Sequence, residues 1–206
     1  MRHLEGLMPV SRRALSLALS LARESDKEPL AVDATTGNGH DTLFLASEIG
    51  EAGRVWAFDV QTAALVVAQN RLATAVEDFS GRAVFVHAGH ETAKDHLPRD
   101  AGGRLWAVTF NLGFLPGSNR RVKTTAATTL QALSLFAEML AVGGIISVHV
   151  YRGHAGGEEE GEAVSRWAAM LPWETWRVAE YAFCNRPRNP ETLFLAEKLA
   201  EPEVIQ

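Results

Sequence analysis

Cysteine is almost absent from this chain of 206 residues, since Cys184 is the single one. An internal disulfide is therefore impossible and a thiolate metal cluster is excluded, which favours a reducing, cytoplasmic environment. A lone cysteine in such a protein is usually a small apolar side chain, so we expect Cys184 to be buried. The seven histidines have no spacing that indicates a metal site, and we expect none.

Long apolar runs, low-complexity tracts and internal repeats are also lacking. The best candidate for an apolar span, residues 130–151, contains Glu138 and the pair Gly143 and Gly144, which argues against a membrane segment. No stretch has the composition of a linker. We therefore expect a single domain over residues 1–206, large enough to bury its own core.

Basic residues do not dominate, because the formal net charge is −5. This charge does not favour non-specific attraction to nucleic acid. Several basic residues could still converge into one local face, although ordinary solvated surface is the alternative. They are Arg12, Arg13, Arg120, Arg121, Lys123, Arg186 and Arg188.

The N-terminal region combines two arginines with a short apolar stretch, a pattern that an export signal shares. Val10, Ala14, Leu17 and Leu21 instead recur at helical spacing, so we expect a packed helix over about residues 9–23. Apolar and basic residues side by side on this helix could form a dimer contact or an RNA-binding edge. We expect a homodimer.

Apolar runs bounded by turn residues alternate with longer helical patterns, which indicates a doubly wound α/β fold with helices on both faces of the sheet. The expected strands are Leu30–Ala34, Arg54–Asp59, Ala83–His87, Leu105–Asn111, Gly144–His149, Thr175–Phe183 and Thr192–Lys198. The helices between them are expected at Asp41–Ile49, Thr62–Val76, Glu91–His96, Thr124–Leu140 and Glu158–Met170. The short segment 184–191 cannot hold a helical crossover. We therefore expect a Rossmann-like, seven-stranded, mostly parallel sheet with an antiparallel C-terminal hairpin.

The most informative segment is a strand, turn and helix at residues 31–46, in which Gly37 and Gly39 form the turn. Glycine adopts backbone angles closed to other residues and leaves room for a ligand beside the free amides of the following helix. Asp59 ends the next expected strand about twenty residues further on, where mononucleotide-binding units place a ribose-binding carboxylate. The pattern predicts a nucleoside-binding site.

The charges around this turn indicate which cofactor it binds. Thr42 stands where a dinucleotide-binding turn has a third small residue, and Asp33 and Asp41 would repel a pyrophosphate. The same carboxylates favour a sulfonium and an ammonium group, so we expect S-adenosyl-L-methionine. A dinucleotide and a purely structural turn are the alternatives. The expected cofactor-binding residues are Asp33, Thr35, Gly37, Asn38, Gly39, Asp41, Thr42, Asp59, Gln61, His90 and Asn111.

A second group of polar residues follows the later strands, whose carboxyl ends share one edge of the sheet. Asn111 opens a loop rich in turn residues, where its amide oxygen could orient an attacking nitrogen and Phe114 could stack on a base. The alternative is a loop in which Asn111 caps its own backbone. Tyr151 and His154 indicate either substrate binding or an ordinary surface turn. His90 marks either an adenine-binding position or a simple helix start.

Five segments together resemble a bacterial family described as rRNA methylases, which has the class I methyltransferase fold. They are Asp33–Ala46, Ala57–Gln61, Gly89–Glu91, Phe110–Gly117 and Val150–His154, and the resemblance extends from the N-terminal helix to Lys198. The loop at Asn111 is similar to the Asn-Pro-Pro-Tyr loop of amino-methyltransferases, with Leu112 and Gly113 in place of the prolines. Thr36, Phe114 and Arg152 are modest departures from the family pattern.

This resemblance implies methylation of RNA with S-adenosyl-L-methionine, and more specifically of the 5-aminomethyl group on the wobble 2-thiouridine in the anticodon region of tRNA. A small-molecule or rRNA methyltransferase of the same fold and a non-catalytic nucleoside-binding module are the alternatives. Asn111 and Asp33 are the expected catalytic residues. Since an alkylammonium has no lone pair, a base must take its proton, and Asp33, His149 and His154 are the candidates. The expected substrate-binding residues are Phe114, Tyr151, His154, Arg120 and Arg186.

Overall fold

A seven-stranded sheet organises the chain, whose computed structural model describes residues 6–75, 81–113, 123–186 and 191–202. The strands are β1 Leu30–Asp33, β2 Arg54–Asp59, β3 Ala83–His87, β4 Leu105–Asn111, β5 Leu140–Tyr151, β6 Trp176–Tyr181 and β7 Glu191–Lys198. The helices are α1 Leu7–Ala22, α2 His40–Glu48, α3 Thr62–Ala73, α4 Ala126–Met139 and α5 Gly157–Met170, and a 3₁₀ helix covers His90–Asp95.

The strand order in the sheet is β3-β2-β1-β4-β5-β7-β6. β1 to β5 run parallel, whereas β7 lies antiparallel between β5 and β6. This arrangement confirms the expected doubly wound α/β fold with its antiparallel C-terminal pair. Because β7 runs against its neighbours, it begins at the edge where β5 ends, and Glu191 is paired there with Tyr151.

Helices cover both faces of the sheet. On one face α1, α2 and α3 enclose a core in which Leu19 and Leu45 are completely buried. On the other face α4, α5 and the 3₁₀ helix pack around Phe110 and Phe136, whose rings meet edge to face at 5.9 Å. Within the described ranges, no helix is long and apolar enough to cross a membrane. With both faces closed, polar side chains at the strand ends can meet only at the edges of the sheet.

The N-terminal helix is present, but the prediction of its packed face is wrong. Leu15 and Leu19 enter the core, whereas Leu17 and Leu21 are 68% and 49% exposed. The hydroxyl of Ser11 lies 2.7 Å from the hydroxyl of Ser147 in β5, inside the interface between helix and sheet. Apolar residues occupy nearly every side of this helix, so spacing alone does not identify the buried face. The buried side is the one that carries Ser11, Leu15 and Leu19.

Two further expectations are wrong. Cys184 is exposed, because it lies in a turn after β6 and not in an element that packs on the core. β5 begins at Leu140, not at Gly144, and α4 ends one residue earlier, at Met139. Leu140 already pairs with β4, and Gly143 has a φ of +86°. The strand therefore continues through an irregularity at this glycine, although a glycine at this position in the sequence resembles the end of a helix.

Candidate functional site

A cavity of about 1130 Å³ opens at the carboxyl ends of β1, β2, β4 and β5. Its wall consists of the glycine turn after β1, the segments after β3, β4 and β5, the first residue of β7 and one side of α1. Pockets for one drug-sized ligand usually occupy roughly 300–1000 Å³. The cavity therefore has room for a nucleoside-sized ligand and a second reacting group.

The turn after β1 is tied to the end of β2 by one carboxylate. The backbone N–H of Gly37 donates to Oδ2 of Asp59 across 2.9 Å, and the N–H of Gln61 donates to Oδ1 across 2.8 Å. Gly37 has a φ of +50°, a conformation that suits glycine. Asp59 and Gln61 line the cavity. Each carboxylate oxygen keeps a second lone pair, with which it can accept a hydrogen bond from a ligand.

Gly39 supports the turn from behind. It has a φ of +75° and immediately precedes α2. A Cβ atom on this residue would lie 2.6 Å from Cβ of Ala68 in α3, closer than two carbon atoms can approach. Gly39 does not line the cavity, so the structure assigns it to packing between the turn and α3.

Asp33 also lies behind the cavity wall, with its side chain completely buried. Its Oδ1 accepts from the N–H of Thr35 across 3.2 Å, and its Oδ2 accepts from the hydroxyl of Thr42 across 2.6 Å. Burial, reinforced by the negative charges of Asp41 and Asp59, raises the pKa of Asp33 to about 7. The carboxyl group is therefore partly protonated at neutral pH.

His90 faces the cavity from the 3₁₀ helix. Its Nδ1 lies 2.9 Å from the carbonyl oxygen of Ala34, which can only accept, so Nδ1 carries the hydrogen and Nε2 is an acceptor. Burial lowers the pKa of His90 and keeps the ring neutral. Nε2 is buried and has no hydrogen-bond partner among the described residues. A donor on a bound ligand would satisfy it.

Asn111, the last residue of β4, is held at two points. Its backbone N–H donates to Oγ1 of Thr35 across 2.7 Å, and its Nδ2 donates to Oδ2 of Asp41 across 2.7 Å. The other oxygen of Asp41 accepts from Arg12 of α1. Asn111, Asp41 and Arg12 all line the cavity. Because the donor end of the amide is used by Asp41, the oxygen is the end left for a ligand.

The end of β5 forms the opposite wall. Tyr151 lines the cavity and stacks on His149 with ring centres 4.3 Å apart. His149 is buried behind it, and burial lowers the pKa of this histidine. Burial raises the pKa of Tyr151 to about 12, so its hydroxyl stays protonated. Glu191 also lines the cavity, and its Oε1 lies 3.1 Å from Nη1 of Arg186.

Thr124 closes the wall beside Asn111. Its hydroxyl accepts from the N–H of Gly113 across 2.9 Å and donates to the buried carboxylate of Glu160 across 2.8 Å. The N–H of Thr124 in turn donates to the carbonyl oxygen of Gly113 across 3.0 Å. His154 lines the cavity at the same place, since a Cβ on Gly113 would lie 3.1 Å from its Nε2. An imidazole is thus held close to the loop that carries Asn111.

The structure brings together most of the residues expected at the site. Those that line the cavity are Thr35, Gly37, Asn38, Asp41, Asp59, Gln61, His90, Asn111, Tyr151 and His154. Asp33, Gly39 and Thr42 lie behind the wall, and Arg186 is exposed and reaches the site only through Glu191. Phe114 and Arg120 lie outside the described residues. In the part of the chain that the structure describes, no group of three or more His, Cys, Asp or Glu side chains could hold a metal ion.

The sequence-based assignment lacks a number of the wall residues, among them Arg12, Thr124 and Glu191. A signal for Glu191 exists in the sequence, because an antiparallel last strand must begin at the edge where its parallel neighbour ends. Arg12 and Thr124 have no such signal. Arg12 precedes β1 on a separate helix, so its contact with Asp41 depends on how that helix docks.

Sequence comparisons identify relatives of this chain. The family model described as "Putative rRNA methylase" matches residues 55–197. The Arabidopsis thaliana protein named "tRNA (mnm(5)s(2)U34)-methyltransferase, chloroplastic" is 35% identical over 178 residues. The aligned region covers 84% of this chain, and this chain spans 64% of the length of that relative.

Structural comparisons give the same picture. A "putative rRNA-methylase" from Clostridium thermocellum has a TM-score of 0.83 and 33% identity, and the match covers 96% of this chain and 100% of that one. A "putative methyltransferase" from Streptococcus mutans, in complex with SAH, has a TM-score of 0.79 and 32% identity, with 95% and 99% coverage. The likeness therefore extends over nearly the whole chain.

Proposed function

Because the chain belongs to the family described as "Putative rRNA methylase", whose members are methyltransferases, we propose that it methylates RNA with S-adenosyl-L-methionine. The proposed acceptor is the 5-aminomethyl group of the wobble 2-thiouridine in the anticodon region of a tRNA. The name of the chloroplastic relative supports this choice. The observation that carries the proposal is the meeting of the glycine turn and the oriented amide of Asn111 in one cavity.

The turn side of the cavity fits a positively charged nucleoside cofactor. Asp59 presents a carboxylate suited to a ribose diol, and Nε2 of His90 presents an unsatisfied acceptor suited to the amino group of adenine. Asp59 also adds negative charge, which favours sulfonium and ammonium groups, whereas Arg12 offsets the charge of Asp41. When bound, S-adenosyl-L-methionine supplies a methyl group on a cationic sulfur.

Asn111 is the residue proposed to orient the acceptor nitrogen. Asp41 occupies the NH₂ end of its amide, so the oxygen is available to accept a hydrogen bond from an N–H group of a primary amine. One such bond restricts the direction of the amine lone pair. Orientation of this kind lowers the barrier because less freedom is lost at the moment of reaction.

A protonated amine must lose a proton before its nitrogen can attack. Among the three candidate bases, His154 lines the cavity, whereas Asp33 and His149 do not. Asp33 is enclosed by the bonds from Thr35 and Thr42, and His149 lies behind Tyr151. We therefore assign proton acceptance to His154.

Cationic side chains at the cavity support an RNA substrate. Arg12 and Lys123 line the cavity, and Arg186 pairs with the wall residue Glu191. These residues come from α1, from the segment before α4 and from the turn after β6. Asp41 and Glu191 offset the charges of Arg12 and Arg186, whereas Lys123 contacts a carbonyl oxygen, so Lys123 is the member of this cluster whose full charge is left for a phosphate. Phosphate groups gain from such a cluster, and their contacts position a nucleic acid.

We also propose that the protein is a cytoplasmic homodimer. Its single cysteine suits a reducing compartment, and Leu17 and Leu21 leave apolar surface exposed on α1. Light scattering after size-exclusion chromatography should give the mass of two chains. The mass of one chain would contradict the dimer without affecting the proposed reaction.

The test of function is methyl transfer to a defined RNA. Purified protein and methyl-tritiated S-adenosyl-L-methionine are incubated with tRNA from bacteria that lack this methylation, and with fully modified tRNA as the matched control. We expect label in the unmodified tRNA alone. Mass spectrometry of the digested tRNA should then show the 5-aminomethyl wobble nucleoside converted to the 5-methylaminomethyl form.

Other outcomes would assign the protein a different function. Label in rRNA but not in tRNA would make it an rRNA methyltransferase, and label in free amines alone would make it a small-molecule enzyme. Calorimetry that shows cofactor binding, with no transfer to any of these acceptors, would indicate a non-catalytic module. Each of these results contradicts the proposal.

A further inference from the structure

The N-terminal helix contributes an arginine to the cavity wall. Nη2 and Nε of Arg12 lie 2.8 Å and 3.2 Å from the same oxygen, Oδ1 of Asp41. The guanidinium group also lies over the ring of Phe44, 5.3 Å from its centre. A ring and a carboxylate together fix the guanidinium plane. A lysine ammonium lacks this planar arrangement of donors and cannot reproduce both contacts.

Asp41 transmits this contact to Asn111. Its second oxygen, Oδ2, accepts the hydrogen bond from Nδ2 of Asn111 across 2.7 Å. The side chain of Asp41 is only 10% exposed, so little water competes for either oxygen. One carboxylate therefore joins a cation from α1 to the amide at the end of β4.

The surrounding charges explain why Asp41 benefits from an arginine. Asp41 and the buried Asp33 interact unfavourably, which contributes to the raised pKa of Asp33. Arg12 offsets the negative charge at Asp41, and two N–H groups on one oxygen restrict the direction of the carboxylate. The second oxygen is then directed to Asn111.

The direction of the Asn111 amide decides what it can do. Its two ends have almost the same shape but opposite hydrogen-bonding character, one a donor and the other an acceptor. If Asp41 turned away, the amide could rotate and present its NH₂ group to the cavity. An NH₂ group only donates hydrogen bonds, so it could not receive one from the N–H of the amine that is to be methylated.

We propose that Arg12 is a positioning residue, which acts through Asp41 to hold the amide oxygen of Asn111 toward the acceptor nitrogen. This inference rests on the proposed function, since an amine acceptor is what requires the oxygen. It gives α1 a part in the reaction in addition to its packing on the sheet.

The first test compares Arg12→Ala and Arg12→Lys with the matched control Arg23→Ala. Arg23 follows α1 and contacts the carbonyl oxygen of Glu48, outside the cavity wall. We expect kcat to fall about 10- to 100-fold in Arg12→Ala and less in Arg12→Lys. The Kd of S-adenosylhomocysteine should stay within about threefold, and Tm should fall by only a few degrees, because Asp41 loses its cation but keeps the hydrogen bond from Asn111. Arg23→Ala should match the wild type.

A double-variant cycle with Asp41→Asn separates action through Asp41 from independent action. If Arg12 acts through Asp41, kcat of the double variant should stay within about threefold of the slower single variant. If the kcat losses of the two single variants multiply in the double variant, the proposal is overturned. A Kd for S-adenosylhomocysteine more than about tenfold weaker in Arg12→Ala, with kcat unchanged, would also overturn it and make Arg12 a cofactor ligand.

A readout without turnover distinguishes failure of this inference from failure of the proposed function. The side-chain NH₂ resonances of Asn111, identified by their loss in Asn111→Ala, should shift in Arg12→Ala and stay in place in Arg23→Ala. If the wild type methylates no RNA, the proposed function fails while the shift still tests the contact. Unchanged Asn111 resonances in Arg12→Ala would overturn the positioning role.

Discussion

Oγ1 of Thr42 donates a hydrogen bond to Oδ2 of Asp33 across 2.6 Å, and both side chains are completely buried. A dinucleotide-binding turn has a small residue where Thr42 stands, so this chain uses the position to stabilise a buried carboxyl group. The three aspartates of the site therefore have different roles. Asp33 belongs to the frame of the turn, whereas Asp41 and Asp59 face the cavity.

Asp33→Asn should flatten the pH dependence of stability. The pKa of Asp33 is about 7 in the folded protein, against an ordinary 3.8, so between these pH values the folded state holds a proton that the unfolded chain has lost. The free energy of unfolding should fall as pH rises through this window, by about 4 kcal/mol in all. Asparagine carries no charge. Its oxygen can accept from the N–H of Thr35, and its NH₂ group can donate to the hydroxyl of Thr42, which reverses the direction of that bond.

Urea denaturation at several pH values measures this effect. The Asp33→Asn variant should match the wild type near pH 4 and exceed its stability above pH 7, where Asp33 is ionised. Parallel curves for the two proteins across this range would show that Asp33 does not titrate as we infer.

Thr42→Val should destabilise the fold because it removes the donor to Asp33 while it keeps the shape of the side chain. Loss of one partner of a buried polar group costs about 1–3 kcal/mol. The hydrogen bond from Thr42 lowers the pKa of Asp33, so its removal should raise that pKa, which carbon NMR can follow. Thr42→Ser keeps the hydroxyl and is the control. Equal stability of the two variants at alkaline pH would contradict the role of the hydrogen bond.

Gly39→Ala should cost more stability than Gly103→Ala. Both glycines have a positive φ, +75° and +71°, so both substitutions cost about 1 kcal/mol of backbone strain. A Cβ at position 39 would also collide with Ala68, whereas nothing lies within 4 Å of a Cβ at position 103. Overpacking adds about 1–3 kcal/mol to the first variant. If chemical denaturation shows equal losses of unfolding free energy in the two variants, α3 moves away from the added Cβ at no energetic cost.

Asn111→Ala should abolish turnover while the Kd of S-adenosylhomocysteine stays within a few-fold of the wild type. The substitution removes the oxygen that orients the amine but leaves Asp59 and His90 in place. Single-turnover assays and calorimetry measure the two quantities. Asn70→Ala, on the exposed side of α3, is the matched control. Loss of cofactor affinity in Asn111→Ala would reassign Asn111 to the cofactor site.

His154→Gln should lower kcat by about 10²- to 10⁴-fold, the usual contribution of a general base. The deficit should shrink as pH rises, because more of the acceptor amine is then neutral before it binds. His96→Gln changes an exposed histidine outside the cavity wall and serves as the control. A deficit that is constant across pH would show that His154 acts by another route.

Much of the sheet can be predicted from local pattern. The expected bounds of β2, β3 and β4 match the structure. β2 and β4 are buried and β3 is a partly exposed edge strand, but all three are apolar runs that end at turn residues. The packed face of α1 could not be predicted in the same way. It includes the polar residue Ser11, whose hydroxyl meets that of Ser147, 136 positions away in the sequence, only in the folded protein.

The residues of the site also differ in whether the sequence could predict their positions. Asp59, Asn111 and Tyr151 end β2, β4 and β5, three parallel strands of one sheet, so parallel topology alone brings them to one edge. The buried position of Asp33 and the contact between Arg12 and Asp41 depend on how helices cover the sheet. Spacing contains no information about that docking, which is why both features require the three-dimensional structure.

The position of α1 has a practical consequence for how the protein is handled. Met8, Pro9 and Arg12 belong to the cavity wall, whereas β7 ends at Lys198, whose ammonium group contacts the first residue of β5 at the opposite edge of the sheet. An affinity tag fused ahead of α1 would emerge beside the mouth of the cavity. A tag placed after β7 would emerge on the far side, so a sensor surface that captures the protein there leaves the mouth open to solution.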